Sequence, residues 1–378
     1  MDALDERPAR GIVEQAMTLI SSLRSARLRP ISAMLVAALG AGCCLDSPDL
    51  QMNFTAEGEL VELSTESAIP IAEGSLDRLD RRVHLVVSEL GLSPAKLELL
   101  VMDKEEELEE ICGTRSGCYF PCSEVSVVSR SWTLISTMHE LLHQVADKSI
   151  VGSTDPLLSE GFASLFGSTY CAEEPNEFDL SKLIGLPSDA RLTDSEYTVG
   201  AKLLEYLREE FGASAVIDLL SRTSAGDDFN TVDAVFIDTF GRSIAEIESE
   251  FDPSAIAFEV RSCANVDPET PVDGVWTRSG PILFDDPDTF NTFSGPESRG
   301  LGTEFTIEVE FEAKHVITPA GGPNIHVWIN SCSCDQDFLA YNIREESTVL
   351  LPAGRFRLVL IDDSGTSQIE SAVHVRRS

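Results

Sequence analysis

The chain has 378 residues, of which 43% are apolar, and a formal net charge of -36 at pH 7. This length and apolar content are enough for two folded domains with buried cores. The charge excludes nucleic acid and anionic lipid surfaces as expected partners, because their phosphates repel an acidic chain.

The amino-terminal segment predicts export. An apolar run of signal-peptide length covers residues 31–42, and it is preceded by Arg24, Arg27 and Arg29. The run is too short to span a bilayer, so we interpret residues 1–43 as a signal peptide. Leu39-Gly40-Ala41-Gly42-Cys43 resembles a bacterial lipobox, although the leucine lies one place further from the cysteine than usual. We therefore expect a lipid anchor at Cys43 and a location in the bacterial cell envelope, with simple secretion as the alternative.

Short elements then alternate up to residue 129. Residues 44–74 are expected to form a hairpin around Gly58 and a linker. Apolar residues at intervals of three and four predict a helix from Ser75, as N-cap, to a stop at Gly91. The next elements are predicted to be a strand at 97–102, an acidic helix at 104–111 and a strand at 124–129. A small sheet followed by helices is typical of the α+β class.

The most informative pattern is His-Glu-Leu-Leu-His at residues 139–143, inside a predicted helix at 131–146. The four-residue interval places His139 and His143 on one helix face, where both reach one tetrahedral Zn²⁺. Glu140 lies beside them as the candidate general base. In a chance match, the two histidines would instead be solvated or hydrogen-bonded on an amphipathic helix.

The third zinc ligand is expected to be a carboxylate. Patterns with a glycine and a third histidine just downstream are excluded, because Ala146 and Ser149 occupy those places. Glu160 is the candidate, and its nearest downstream competitors are Glu173 and Glu174. Two imidazoles, one carboxylate and an open position for water are the layout of a catalytic zinc site.

Two further motifs support a resemblance. Glu160 belongs to Ser-Glu-Gly-Phe-Ala at 159–163, and Glu-Tyr-Thr-Val-Gly-Ala follows at 196–201. With the His-Glu-Leu-Leu-His pair, these motifs resemble the gluzincin metallopeptidases, the clan that contains thermolysin and the aminopeptidase N family. The resemblance covers roughly residues 75–260 and implies a thermolysin-like zincin domain. It implies that Glu160 is the third zinc ligand and that Tyr197 donates a hydrogen bond to the tetrahedral intermediate.

The resemblance also has consequences for the substrate. In gluzincins the strand before the zinc helix, here 124–129, forms the cleft edge and pairs with an extended peptide. The chain lacks a Gly-x-Met-Glu-Asn segment, by which the aminopeptidases hold a free amino terminus. A peptide or protein substrate is therefore implied, and endopeptidase activity is favoured.

A second domain is predicted at residues 273–378, after a boundary near 263–272. The apolar period there changes to two, in the alternating residues Phe305, Ile307, Val309 and Phe311. Further strands are predicted at 326–329, 338–343, 356–361 and 369–375. The pattern is typical of an all-β sandwich or jelly roll. Its histidines are expected to be structural or exposed: His315, His326 and His374. The catalytic domain accordingly spans 44–262.

The nine cysteines agree with an oxidising compartment. If Cys43 carries lipid, an even number remains, which predicts disulfides without fixing their connectivity. We expect pairing within the group at 112–171. Cys332 and Cys334 are expected to bond elsewhere than to each other.

Two functions are compatible with the sequence. The first is zinc-dependent hydrolysis of peptide bonds by a secreted or lipid-anchored gluzincin-like endopeptidase. The alternative is a non-catalytic surface lipoprotein that uses the zincin fold and the β-domain for binding. Glu140 favours the enzyme, because a binding scaffold has no need of a general base.

Overall fold

The computed structural model describes residues 52–67, 71–151, 154–167, 178–188, 190–256, 263, 267–283, 285–292, 300–333, 341–364 and 368–378. All of these residues belong to one compact unit. Several predicted features lie outside them: the signal peptide with Cys43, the residues Cys171, Glu173, Glu174 and Cys334, and the first part of the strand predicted at 338–343. Among the described residues, no helix is long and apolar enough to cross a membrane.

The first part of the fold is a mixed sheet with helices. Its elements before the motif helix are β1 (Phe54–Glu57), β2 (Val61–Thr65), α1 (Glu73–Leu90), β3 (Leu97–Met102), α2 (Glu105–Cys112), β4 (Gly117–Phe120) and β5 (Val125–Ser129). The strand order in the sheet is β1-β2-β3-β5-β4. Strands β2, β3 and β5 run parallel, whereas β1 and β4 are antiparallel to their neighbours.

The strand predicted at 124–129 is not the edge of this sheet. It corresponds to β5, which lies between β3 and β4 and has all of its residues buried. The sheet order ends instead at β4, with the sequence Gly-Cys-Tyr-Phe. This short segment has no alternating apolar period, so the sequence did not predict it as a strand. The prediction that 124–129 is an edge strand is wrong, because β4 lies at the end of the strand order instead.

Helix α1 begins before the predicted N-cap. Its N-cap is Ala72, which has no side chain that can accept a hydrogen bond from the first turn. Ser75 lies inside the helix, and its hydroxyl accepts a hydrogen bond from the backbone N–H of Asn291 at 2.8 Å. The prediction of Ser75 as N-cap is wrong because a tertiary contact engages its hydroxyl. The helix ends as predicted at Gly91, which has a left-handed φ of 65°.

A layer of helices follows the sheet. These are α3 (Thr133–Ala146), α4 (Pro156–Gly167), α5 (Leu180–Leu183), α6 (Asp194–Phe211), α7 (Ala213–Arg222), α8 (Phe229–Phe240) and α9 (Ile244–Glu250). Helix α3 carries the His-Glu-x-x-His motif and continues into a π-helical turn at Asp147–Val151. It packs against the sheet and α4 through Met138, Leu141, Leu142 and Val145. Helix α4 is buried along most of its length, so it lies in the interior of the helical layer.

The carboxyl-terminal part is a β-sandwich, so the protein is α+β with an all-β part, as predicted. Its strands are β6 (Val275–Leu283), β7 (Thr289–Asn291), β8 (Leu301–Val309), β9 (Ala313–Ala320), β10 (Ile325–Ser331), β11 (Tyr341–Ile343), β12 (Ser347–Leu351), β13 (Gly354–Asp362) and β14 (Gln368–Arg377). One sheet has the order β11-β10-β13-β8-β7, and the other has the order β12-β9-β14-β6.

The sandwich has a hydrophobic core of its own. The alternation in β8 places Phe305, Ile307 and Val309 in that core, together with residues of the opposite sheet such as Ile317 and Val375. Phe311 does not follow the predicted alternation. Strand β8 ends at Val309, and the Phe311 ring is exposed beneath the guanidinium of Arg377.

Two disulfides are present among the described cysteines. Cys112–Cys118 joins the end of α2 to β4, within the group expected to pair. Cys263–Cys332 joins the end of the helical part to the sandwich, so Cys332 does bond elsewhere than to Cys334. Cys122 is also disulfide-bonded.

Candidate metal centre

The structure brings His139, His143 and Glu160 together. His139 Nε2 lies 3.0 Å from Glu160 Oε2, and His143 Nε2 lies 3.5 Å from the same oxygen. The two imidazole Nε2 atoms are 3.3 Å apart. Within the described part of the chain, this is the group of histidine, cysteine and acidic side chains that converges closely enough to hold a metal ion.

These separations match the geometry of a tetrahedral metal site. Zinc–nitrogen and zinc–oxygen bonds of about 2.0–2.2 Å require neighbouring ligands about 3.3 Å apart. All three donor–donor distances in the structure lie near this value. The donor set therefore fits a divalent ion, and two imidazoles with one carboxylate suit several transition metals.

The two histidines are placed by one helix and the carboxylate by the next. His139 and His143 are one turn apart on α3, so their rings project from the same face. Helix α4 approaches α3 closely at Gly167, where an added Cβ would lie 2.8 Å from the backbone nitrogen of His139. This close approach allows Glu160, on α4, to reach both rings.

A second close helix contact positions Tyr197. Gly161 on α4 faces Gly200 on α6, and a Cβ at Gly161 would lie only 2.5 Å from the Gly200 carbonyl carbon. Because neither residue has a side chain, the two helix backbones touch. Glu160 precedes Gly161, and Tyr197 lies three residues before Gly200. The contact between the two glycines therefore fixes the distance between the part of α6 that carries Tyr197 and the part of α4 that carries Glu160.

Tyr197 lies beside the first histidine. Helix α6 begins with a capping box in which Thr193 and Glu196 bond to each other's backbone. Tyr197 is the next residue, so it stands in the first turn of the helix. Its ring stacks on His139 with centroids 5.7 Å apart and an interplanar angle of 22°. The predicted oxyanion donor is thus adjacent to a predicted ligand.

Glu140 is buried next to the edge strand. Its side chain contacts Gly117 of β4 so closely that a Cβ there would lie 2.9 Å from the Glu140 Cγ. The Ser126 hydroxyl of β5 donates to the Glu140 carbonyl at 2.7 Å. Burial raises the pKa of Glu140, and the nearby His139 and His143 oppose that rise. Sequence reasoning missed Gly117, whose lack of a side chain makes room for this carboxylate.

The charges within the group keep the Glu160 carboxylate ionised. Burial by itself lowers the pKa of His143, but the Glu160 carboxylate outweighs burial and raises it above the ordinary value. Burial likewise raises the pKa of Glu160, yet His143 and His139 hold it below its usual range. Glu160 therefore stays ionised near neutral pH, the state in which a carboxylate binds a metal ion.

Residues that the sequence analysis missed hold His143 in place. The Ser159 hydroxyl lies 3.2 Å from His143 Nδ1, the ring nitrogen that faces away from Glu160. Tyr119 of β4 stacks on the His143 ring at 6.3 Å, and its hydroxyl donates to Asp147 at 2.6 Å. A second partner on the outer ring nitrogen orients a ligand histidine. Ser159 could have been suspected from its place beside Glu160, whereas Tyr119 gives no signal in sequence.

Gln144 anchors α3 to the sheet. Its side-chain oxygen accepts from the Glu98 backbone N–H at 2.9 Å, and its amide donates to the Glu98 carbonyl at 2.7 Å. The same amide donates to the Ser126 hydroxyl at 2.6 Å. Gln144 is fully buried and follows His143 directly. The motif helix is therefore attached to β3 and β5 by polar bonds as well as by its apolar face.

Comparisons with known proteins give little further information. No family model and no curated protein matches the chain. Solved structures with some similarity include the FeII form of HppE, at 12% identity over 46% of this chain and 96% of that chain, with a TM-score of 0.13. Hydroxypropylphosphonic acid epoxidase from S. wedmorenis matches at 12% identity over 47% and 95%, also with a TM-score of 0.13. Similarity at this level carries no argument about fold or function.

Proposed function

We propose that the protein is a zinc-dependent endopeptidase with a thermolysin-like catalytic domain. One observation carries the proposal. The ligating atoms of His139, His143 and Glu160 are spaced as a tetrahedral ion requires, with Glu140 buried beside them and Tyr197 against His139. A candidate residue is therefore present for each role that hydrolysis of a peptide bond requires.

Each residue of the site has a separate role in the proposed reaction. His139, His143 and Glu160 would hold zinc, which would supply the Lewis acidity that activates water near neutral pH and polarises a carbonyl. Glu140 accepts a proton from the attacking water and later passes it to the leaving amine. The Tyr197 phenol donates a hydrogen bond to the oxyanion that develops on the attacked carbonyl. The Tyr119 ring and the Ser159 hydroxyl keep the His143 ring oriented.

The position of β4 supports a peptide substrate. The sheet order ends at β4, and an extended peptide can add to a sheet edge through main-chain hydrogen bonds. Gly117 and Tyr119 of this strand contact Glu140 and His143. A peptide paired with β4 would therefore run beside the general base and the second ligand. This arrangement favours cleavage within an extended chain.

We place this activity outside the cytoplasm. The disulfides Cys112–Cys118 and Cys263–Cys332 suit an oxidising compartment. The signal-like segment that ends at Cys43 adds a lipid anchor in the bacterial envelope to the proposal, or secretion if Cys43 is not modified. Recovery of the mature protein from membranes with a lipidated Cys43 would distinguish the two.

Zinc analysis combined with a peptide-cleavage assay tests the proposal. Glu140→Gln keeps the size of the side chain and removes the proton acceptor. Zinc should stay bound, while hydrolysis of a peptide library falls by about 10²–10⁴-fold. Glu210→Gln makes the same chemical change at an exposed position on α6 and should leave the rate unchanged.

Two results would overturn the proposal. Unchanged hydrolysis in Glu140→Gln would remove Glu140 from the mechanism. A parent protein that binds zinc but cleaves nothing in a broad peptide library would favour the non-catalytic surface lipoprotein.

A further inference from the structure

Three arginines converge on one carboxylate between α1 and the sandwich. Arg78 and Arg82 project from α1, and their guanidinium groups donate to Glu304 of β8 at 3.1–3.3 Å. Arg357 of β13 donates to the same carboxylate at 2.6 and 2.8 Å. The cluster therefore holds three positive charges and one negative charge.

The excess positive charge is buried. The side chains of Arg78 and Arg82 are each 9% exposed, that of Arg357 is 2% exposed, and that of Glu304 is 21% exposed. Guanidinium groups stay protonated in proteins, and buried charge without a counter-ion is costly. Burial lowers the pKa of Arg78 to about 10, and Arg357 acts in the same direction against the opposing effect of Glu304. In a chain of net charge -36, this interior excess of positive charge requires an explanation.

One donor in the cluster has no hydrogen-bond partner among the described residues. Arg78 Nη2 is buried and makes no hydrogen bond within the described part of the protein. Arg78 lies over the Phe290 ring, 4.2 Å from its centroid, and both residues line a cavity of about 20 Å³. The polar residues around this cavity are Ser75, Thr133, Thr137 and Asn291. A cavity of this size holds about one water-sized particle.

We propose that the cavity binds one small monovalent anion, such as chloride, beside Arg78 Nη2. The excess of positive charge favours an anion over a neutral water molecule and excludes a cation. The small volume favours a single halide ion over larger anions such as sulfate or phosphate.

The location of the cavity predicts what the anion does. Its polar lining comes from α1, from β7 of the sandwich and from the first turns of α3. Thr137 lies two residues before His139 on α3. An anion bound here contacts three elements and stabilises the packing of the sandwich against the motif helix. Halide binding should therefore appear as increased stability of the whole protein.

Thermal unfolding of the full mature chain tests the proposal in solution. Chloride or bromide is titrated against gluconate at constant ionic strength, so that general screening does not change. We expect chloride and bromide to raise the Tm by about 2–4 °C in a saturating manner, as for a ligand that binds only the folded state. A Tm that stays unchanged while chloride or bromide replaces gluconate would overturn the proposal.

Two variants separate the site from general charge effects. Arg78→Gln removes the unpartnered donor and should abolish the halide-dependent rise in Tm. Arg81→Gln makes the same charge change at an exposed position on the same helix and should keep the rise. A halide response that persists unchanged in Arg78→Gln would contradict the assignment.

A bromide derivative of the parent protein tests directly whether an anion binds in the cavity, even if the Arg78→Gln variant does not fold. Crystals of the parent protein grown in bromide should give an anomalous peak in the cavity, within hydrogen-bonding distance of Arg78 Nη2. The proposal fails if no peak appears there, or if a peak appears without any saturating effect of halide on the Tm.

Discussion

The two parts of the molecule use histidine in different ways. In the helical part, His139 and His143 lie one turn apart on α3 and share Glu160. In the sandwich, three histidines lie on three different strands. His315 bonds the Ala313 carbonyl, His374 bonds Thr277, and His326 lies 3.3 Å from Asp363 without the geometry of a hydrogen bond.

This difference shows why one part forms a ligand group and the other does not. A helix fixes the relation between residues four apart by itself, so the His139–His143 pair requires no tertiary structure. Histidines on different strands converge only if the strand register places them side by side and their side chains lie on the same face of the sheet. In the sandwich each histidine has a local environment of its own, as the sequence analysis expected.

The largest expected effect is on metal binding. His143→Ala removes one of three donors and should abolish both stoichiometric zinc binding and hydrolysis, because the remaining pair cannot complete the site. His374→Ala removes a histidine of the sandwich and should change neither. Metal analysis of the two purified variants makes the comparison. Undiminished zinc in His143→Ala would show that the ligand group is misassigned.

A smaller loss is expected from Tyr197→Phe. The substitution removes only the phenolic donor, and the rate should fall by about 10²–10³-fold. The loss should appear in kcat more than in KM, because the oxyanion exists only after attack. Tyr206→Phe, on the same helix but packed against Phe251, is the matched control. Equal kinetics for the two variants would remove Tyr197 from the catalytic machinery.

The contact between α4 and α6 predicts a combined effect on stability and rate. A Cβ at Gly161 would lie 2.5 Å from the Gly200 carbonyl carbon, so Gly161→Ala must push the helices apart. We expect a loss of about 1–3 kcal/mol in the free energy of unfolding, as for other overpacked contacts. Hydrolysis should also fall, because Tyr197 and Glu160 move relative to each other. Gly200→Ala alters the same contact from the opposite helix and should give a similar result in denaturant unfolding and peptide-cleavage assays.

The smallest expected effect is on the pH dependence of protein stability, through His315 of the sandwich. Burial lowers the pKa of His315 below 6.5, the adjacent Arg377 adds to this, and the hydrogen bond to Ala313 opposes it. The unfolded chain then binds more protons than the folded chain at pH values between the two pKa values. The contribution of His315 to stability is therefore full above pH 6.5 and decreases as the pH falls below it. Unfolding of His315→Gln should depend less steeply on pH in this range than unfolding of the parent. A steeper dependence would reverse the sign assigned to His315.

Local periodicity was enough to predict several elements of the fold. The spacing of apolar residues predicted α1 and α3, and the strand at 97–102 has the predicted bounds. The alternation of apolar and polar residues predicted β8, although Phe311 lies beyond the end of that strand. Strand β4 was missed, because four residues that include a glycine and a cysteine carry no period.

The spacing of His139 and His143 was enough to predict that they share one helix face, because helical geometry is local. The sequence also named Glu160 as the candidate carboxylate ligand, whereas Tyr197 was named through resemblance to a short motif. The tertiary structure decided whether these residues meet, through the backbone contacts at Gly167 with α3 and at Gly161 with Gly200. The Tyr119 ring against His143, and the three arginines around Glu304, bring together segments far apart in the chain. Such contacts depend on how helices and sheets pack, which no local pattern of residues specifies.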